Sequence, residues 1–184
     1  MYGMVNKAME DMVRRGHGDA AWEDIKARAG VEIDMFLGDE PYPDDMTYRL
    51  VDAAREVLGA TADEILVAFG RHWIAYTAEE GYGPLMSAAG RTIPEFFASL
   101  PDFHSRIAMI FPRLQPPRFL CTDVTPTSLR LHYVTHRRGF APFVIGLLHG
   151  LGDRMGTPVR VVQAQARDAG ADHDVFDVSW SPGG

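Results

Sequence analysis

The stretch "LRLHYVTHRR", residues 129–138, decides how this chain is read. Extended backbone sends successive side chains to opposite faces. Leu129, Leu131, Tyr133, Thr135 and Arg137 therefore share one side, and Arg130, His132, Val134 and His136 share the other. The first side opens with two leucines and so faces a core, yet it ends in a phenol, a hydroxyl and a guanidinium. Buried polar groups need partners, and these three offer mainly donors. A guanidinium prefers the two-pronged geometry of carboxylates or phosphates. Either carboxylates of the protein meet this ladder, or an apolar ligand with carboxylates enters among Leu, Phe and Met side chains. Spacing alone leaves the two even.

Outward from this strand, the chain is helical first and strand-rich later. Val5, Ala8, Met9, Met12 and Val13 repeat at the spacing of one helical face, ending at Gly16 and Gly18. A second helix is predicted from about Asp19 to Ala29 with Trp22 and Ile25 inward, and a third from about Asp45 to Leu58. "TADE" at 61–64 reads as a capping box. It opens a long helix to about Glu80, with Ile65, Phe69, His72 or Trp73, and Tyr76 on its buried stripe, broken by the glycines of "EGYG". A second box, "TIPE" at 92–95, opens "FFASLPDFHSRIAMIF", in which Pro101 permits a fresh first turn.

After the stiff loop "PRLQPP" at 112–117, four stretches alternate as strands: "RFLCTD", "SLRLHYVT", "VRVVQAQA" and "HDVFDVSW". An apolar helix from about Phe140 to Met155 lies between the second and third, and "SPGG" reads as a frayed tail. The sum is an α+β domain: a helical part leaning on a small antiparallel sheet of about four strands.

Composition narrows the function. The chain has 184 residues, 46% hydrophobic and 23% charged, with a formal net charge of −7, which suits one soluble domain and disfavours nucleic-acid or anionic-membrane binding. One cysteine, Cys121, excludes an internal disulfide and a cysteine zinc site, so a reducing cytoplasm is expected. The segment "GFAPFVIGLLHGLG" at 139–152 is too short to span a bilayer, and no membrane segment is expected. Its glycines suit close helix packing better than phosphate binding, and HExxH, GxSxG and CxxC are lacking. The acidic pairs at 44–45 and 79–80 fit helix ends. Hydrolytic and phosphoryl-transfer chemistry has no visible apparatus, which leaves a binding site.

His104 is the second marker of that site. Helical spacing surrounds it with Phe97, Leu100, Ile107, Ala108 and Phe111. It is either a buried histidine with a hydrogen-bond partner or the proximal ligand of a haem, since a neutral imidazole in an apolar wall suits iron.

"MYGMVNKAMEDMV", "WEDIKARAG", "HYVTHRRGFAPFVIGLLHGLG" and the His104 helix, in this order and over nearly the whole chain, closely resemble the H-NOX (haem nitric oxide/oxygen-binding) family. That family includes the haem domain of the soluble guanylate cyclase β subunit and bacterial stand-alone relatives. The resemblance implies one domain over 1–182, with a helical subdomain at about 1–60 and an α+β subdomain enclosing haem b at about 61–182. It implies His104 as the metal ligand, with Tyr133, Thr135 and Arg137 matching a YxSxR motif that grips the propionates. Thr135 departs from that motif but keeps the hydroxyl. By the same resemblance Pro117 presses on the haem plane, Val5 packs against it, and Cys121 lies where the cyclase subunit has a cysteine. Trp73 and Phe143 belong to the distal side, and Leu147 is a further cofactor-binding residue. Phe143 stands where oxygen-binding members carry a tyrosine donor, while the Trp73 indole could itself donate.

The implied function is non-catalytic sensing of NO and CO. Loosening of His104 would let its helix move and signal to a separate histidine kinase, cyclic-di-nucleotide enzyme or nucleotide cyclase. The rival is a haem-free enzyme or carrier for a small anionic metabolite, with Arg137, Tyr133 and His136 lining the site.

Overall fold

The computed structural model describes residues 1–181; the expected tail lies, at 182–184, outside the described residues. Helices α1 (Gly3–His17), α2 (Asp19–Ala29) and α3 (Asp44–Leu58) come first, then α4 (Ala62–Thr77), α5 (Gly83–Ala88) and α6 (Ile93–Ile110). Strands β1 (Arg118–Thr122) and β2 (Ser128–Val134), helix α7 (Ala141–Arg154) and strands β3 (Val159–Gln165) and β4 (Asp174–Trp180) follow. The four strands form one antiparallel sheet in the order β1-β2-β4-β3. The α+β class read from the sequence is the fold observed. Among the described residues, no helix is long and apolar enough to cross a membrane.

The helices follow their apolar stripes. Ala8, Met9 and Val13 of α1 and Trp22 and Ile25 of α2 are fully buried. The box opening α4 is complete: Thr61 Oγ1 accepts from the Glu64 N–H at 3.2 Å and Glu64 Oε2 accepts from the Thr61 N–H at 2.8 Å. In the sheet, Leu129 pairs with Val178, Leu131 with Phe176 and Tyr133 with Asp174. All six are buried, so this is the core face.

Three local expectations are corrected. The helix expected to reach Glu80 stops at Thr77, and the "EGYG" segment forms a π-helical turn, Ala78–Tyr82, with Gly81 at φ 98°, before α5 resumes. Thr92 caps α6, but Glu95 returns to the Arg91 N–H at 2.9 Å rather than to Thr92, so the second box is not reciprocal. Pro101 starts no new helix. It sits inside α6, where its missing donor removes one backbone bond while Phe96, Phe97, Leu100 and Ile107, buried on both sides of it, hold the helix continuous.

α4 and α7 meet backbone to backbone through glycine. A β-carbon on Gly70 would lie 2.0 Å from the Phe143 carbonyl oxygen, and one on Gly146 would lie 2.1 Å from that of Val67. Gly146→Ala must push the helices apart, at a cost of about 1–3 kcal/mol, or about 2–4 °C in Tm per kcal/mol for a domain of this size. Gly16→Ala, in α1 with nothing within 4 Å, should raise stability by up to about 1 kcal/mol. Thermal melts of both variants check the pair; a Gly146→Ala protein melting with the parent would show that the glycine contact is dispensable.

Candidate functional site

A cavity of about 570 Å³ lies between α1, α4, α6, α7, the loop after α6 and the end of β2. Protein interiors otherwise pack with few voids larger than a water molecule, and cavities of several hundred Å³ are the usual size of small-molecule sites. Val5 comes from α1, Trp73 from α4, His104 from α6, Pro117 from the loop, and Tyr133 from β2. Arg137 follows that strand, and Phe143 and Leu147 lie one turn apart on α7. All eight line this one space, which is otherwise walled mainly by apolar side chains. Tyr2, at the start of α1, ties down the loop: its hydroxyl accepts from the Arg113 N–H at 2.8 Å and its ring meets Phe111 edge-on.

His104 projects from α6 between buried Leu100 and Ile107. Its side chain has no hydrogen-bond partner among the described residues, and it also borders a smaller cavity of about 280 Å³ beside Pro117 and Phe119. Burial lowers its pKa, favouring the neutral ring. A neutral imidazole without a protein partner, facing an apolar cavity, is the form that ligates a metal.

Tyr133 is buried and stacked on Phe119, with ring centroids 5.2 Å apart. Burial pushes its phenol up to about 12, against smaller opposing effects of the Thr135 hydroxyl and Arg137. Arg137 donates from Nε to Asp44 Oδ2 at 2.8 Å and from Nη1 to the Gln115 carbonyl at 3.0 Å. A guanidinium has five N–H donors, so this pairing leaves donors for a ligand. A protein carboxylate, Asp44, meets Arg137, while the phenol and the remaining guanidinium donors stand at the cavity.

Thr135 is not part of the cavity wall, although its hydroxyl lies beside the Tyr133 phenol. The ladder of β2 ends at Val134 and Tyr133, beyond which strand alternation no longer fixes a face. The Thr135 hydroxyl accepts from the Arg137 N–H at 3.2 Å, and its carbonyl accepts from Arg167 Nη1 at 2.6 Å. It therefore holds the turn that carries Arg137. His136 is exposed, with Nε2 3.6 Å from Asp44 Oδ2, and lies outside the cavity wall. That placement removes it from the anion site of the rival reading.

Asp44 and Arg167 were not predicted at the site. Asp44 opens α3, as read, but 93 positions separate it from Arg137, and no local pattern signals such a pair. Its carboxylate also accepts from the Met1 amino group at 2.5 Å.

The α+β fold and this cavity define a small-ligand-binding domain. The model of the "Haem-NO-binding" family matches residues 2–163, and the chain belongs to that family of haem-based gas-sensor domains. It is similar to soluble guanylate cyclases of Caenorhabditis elegans. With gcy-31 it is 28% identical over 155 residues, 84% of this chain and 22% of that protein. With gcy-35 it is 30% identical over 173 residues, 91% of this chain and 25% of that protein. The chain thus spans about a quarter or less of the length of these curated relatives. It also superposes on an H-NOX protein from S. oneidensis, solved in the Fe(II)NO ligation state, with a TM-score of 0.88 at 16% identity over 98% of this chain and 99% of that one. That likeness is one of fold.

Asp44 gives the site a pH dependence. Burial opposes its ionisation, but the Met1 amino group and Arg137 outweigh burial and hold the carboxyl below its ordinary range. A depressed native pKa means stability that is present at neutral pH and lost as pH falls below about 4, the ordinary aspartate value, towards the native one. Asp44→Asn should flatten this part of the stability curve, measured as urea midpoints against pH; an unchanged slope would show that the pair contributes nothing.

Proposed function

We propose that this chain is a single sensor domain over residues 1–182 that holds haem b in the described cavity and detects NO and CO without catalysis. The observation that carries this reading is the juxtaposition of an unpartnered, neutral His104 and a Tyr133–Arg137 donor pair on one apolar cavity. Haem supplies an iron centre that binds small gases, for which His104 is the protein ligand. Arg137 and Tyr133 present their donors to the two carboxylates of the macrocycle, and Thr135 keeps the Arg137 turn in place. Pro117, Val5 and Leu147 line the cavity and would exclude water and pack against the macrocycle.

Trp73 and Phe143 meet edge-on with ring centroids 6.5 Å apart. Phe143 donates nothing, so a gas that depends on a hydrogen-bond donor is poorly held unless Trp73 provides one. α6 carries His104 and is the element that a change at the ligand would move. The relatives named as guanylate cyclases are far longer than this chain, which supports a cyclase as the partner or output domain that takes the signal; a histidine kinase or a cyclic-di-nucleotide enzyme rests on the family resemblance alone. The single cysteine supports a cytoplasmic home.

Absorption spectra of the ferrous protein test the reading. CO and NO should each shift the Soret band at once, while air should give only the slow change of oxidation. A persistent, reversible shift in air that disappears in Trp73→Phe would overturn NO selectivity and make Trp73 the donor. Arg137→Ala leaves an anionic group unpaired in a partly buried site, a change that costs on the order of 3–5 kcal/mol where burial is complete. Haem transfer to apomyoglobin should therefore accelerate sharply in Arg137→Ala and little in Thr135→Ser; equal rates in all three proteins would refute the propionate grip.

A further inference from the structure

On the sheet face turned away from the cavity, His132 of β2 meets His173, the residue before β4. His132 Nδ1 lies 2.9 Å from His173 Nε2, and His132 Nε2 lies 3.0 Å from Thr122 Oγ1 of β1. Both imidazoles are half-buried, which leaves them open to small solutes. Two facing ring nitrogens this close must share one proton, and the position of that proton is one a metal ion can take.

We propose that His132 and His173 form a site for a divalent transition cation, with Zn²⁺, Ni²⁺ and Cu²⁺ as the class that imidazole selects. Two nitrogens each about 2.1 Å from a tetrahedral centre lie about 3.4 Å apart, so the rings need to separate by only about 0.5 Å from their present 2.9 Å. Ligation through Nδ1 of His132 requires the proton to sit on Nε2, and metal-bound histidines characteristically donate that N–H to an oriented acceptor. Thr122 Oγ1 stands there, and its own hydroxyl points on to Asp123 Oδ2 at 3.4 Å. A carboxylate, a hydroxyl and an imidazole thus run in line toward the shared position. A Thr122 hydroxyl that donates to Asp123 keeps a lone pair to accept from His132 Nε2–H, which favours the tautomer a cation needs and places negative charge behind it. Among the described residues no group of three or more His, Cys, Asp or Glu side chains is arranged to hold a metal; the site is a pair of imidazoles whose remaining positions belong to water, which makes it exchangeable. His132 adjoins Tyr133 on the same strand, so an ion here would brace β1, β2 and β4 from behind the cavity wall.

Calorimetric titration of the purified protein, haem loaded as isolated, with zinc chloride provides the test. The parent should take one equivalent, and His132→Gln and His173→Gln should each weaken binding at least tenfold. Thr122→Val should weaken it about tenfold, the lower end of what loss of an outer-shell partner costs, with Thr122→Ser restoring it. In ¹⁵N-histidine-labelled parent, Zn²⁺ should shift the Nδ1 resonance of His132 and the Nε2 resonance of His173, a readout that needs no variant to fold. Absence of a stoichiometric Zn²⁺ site in the parent, binding by His132→Gln or His173→Gln equal to the parent's, or shifts confined to other histidines would overturn the proposal.

Discussion

Gly70 and Gly146 let α4 and α7 approach until a β-carbon at either position would collide with the opposing backbone, and the cavity depends on that contact. The two helices carry Trp73 on one side and Phe143 and Leu147 on the other. With the backbones in contact, these large side chains cannot pack between the helices and instead project into the space beneath α6. A wider spacing would let them fold inward and fill it. The glycines therefore act on function through geometry: they contribute no atom to the wall, yet they decide where the wall stands.

A second constraint acts across the chain. Arg137 brings a full charge to the margin of an apolar space, and a charge so placed requires partners. Asp44 at the start of α3 supplies one, and the Gln115 carbonyl from the loop after α6 supplies another. The guanidinium thus connects the first helices, the loop and the strand that carries Tyr133. Arg167 does the same for the backbone, holding the Thr135 carbonyl next to the turn. Under the proposed function, any movement of the anion that Arg137 grips would be felt at α3, far from it in sequence.

Much of this was legible in the sequence because its signals are local. The Thr61–Glu64 box, the stripes of α1 and α2, the alternation of β2 and the small residues of α7 each depend on positions a few residues apart, and each reads directly as structure. The eight side chains around the cavity could be named because an apolar histidine helix and the Tyr133–Arg137 spacing are local patterns too, and the resemblance to H-NOX domains supplied the rest. Where the sequence misled, a tertiary effect overrode a local rule. Pro101 remains mid-helix because burial on both sides outweighs one lost bond, and Thr135 falls outside the sheet because the ladder ends one residue earlier. Asp44, Arg167 and the His132–His173 pair were invisible because their partners lie 32 to 93 positions away, and only folding brings them together.

Under the proposed function His104 is the protein ligand of a haem held in this cavity, and replacing that one side chain tests this role directly. His104→Gly removes the imidazole and leaves the rest of the wall in place. The variant should be isolated without haem and without a Soret band, and adding free imidazole should restore haem binding with a spectrum like the parent's. A variant that retained haem with the parent's spectrum in the absence of imidazole would contradict that role.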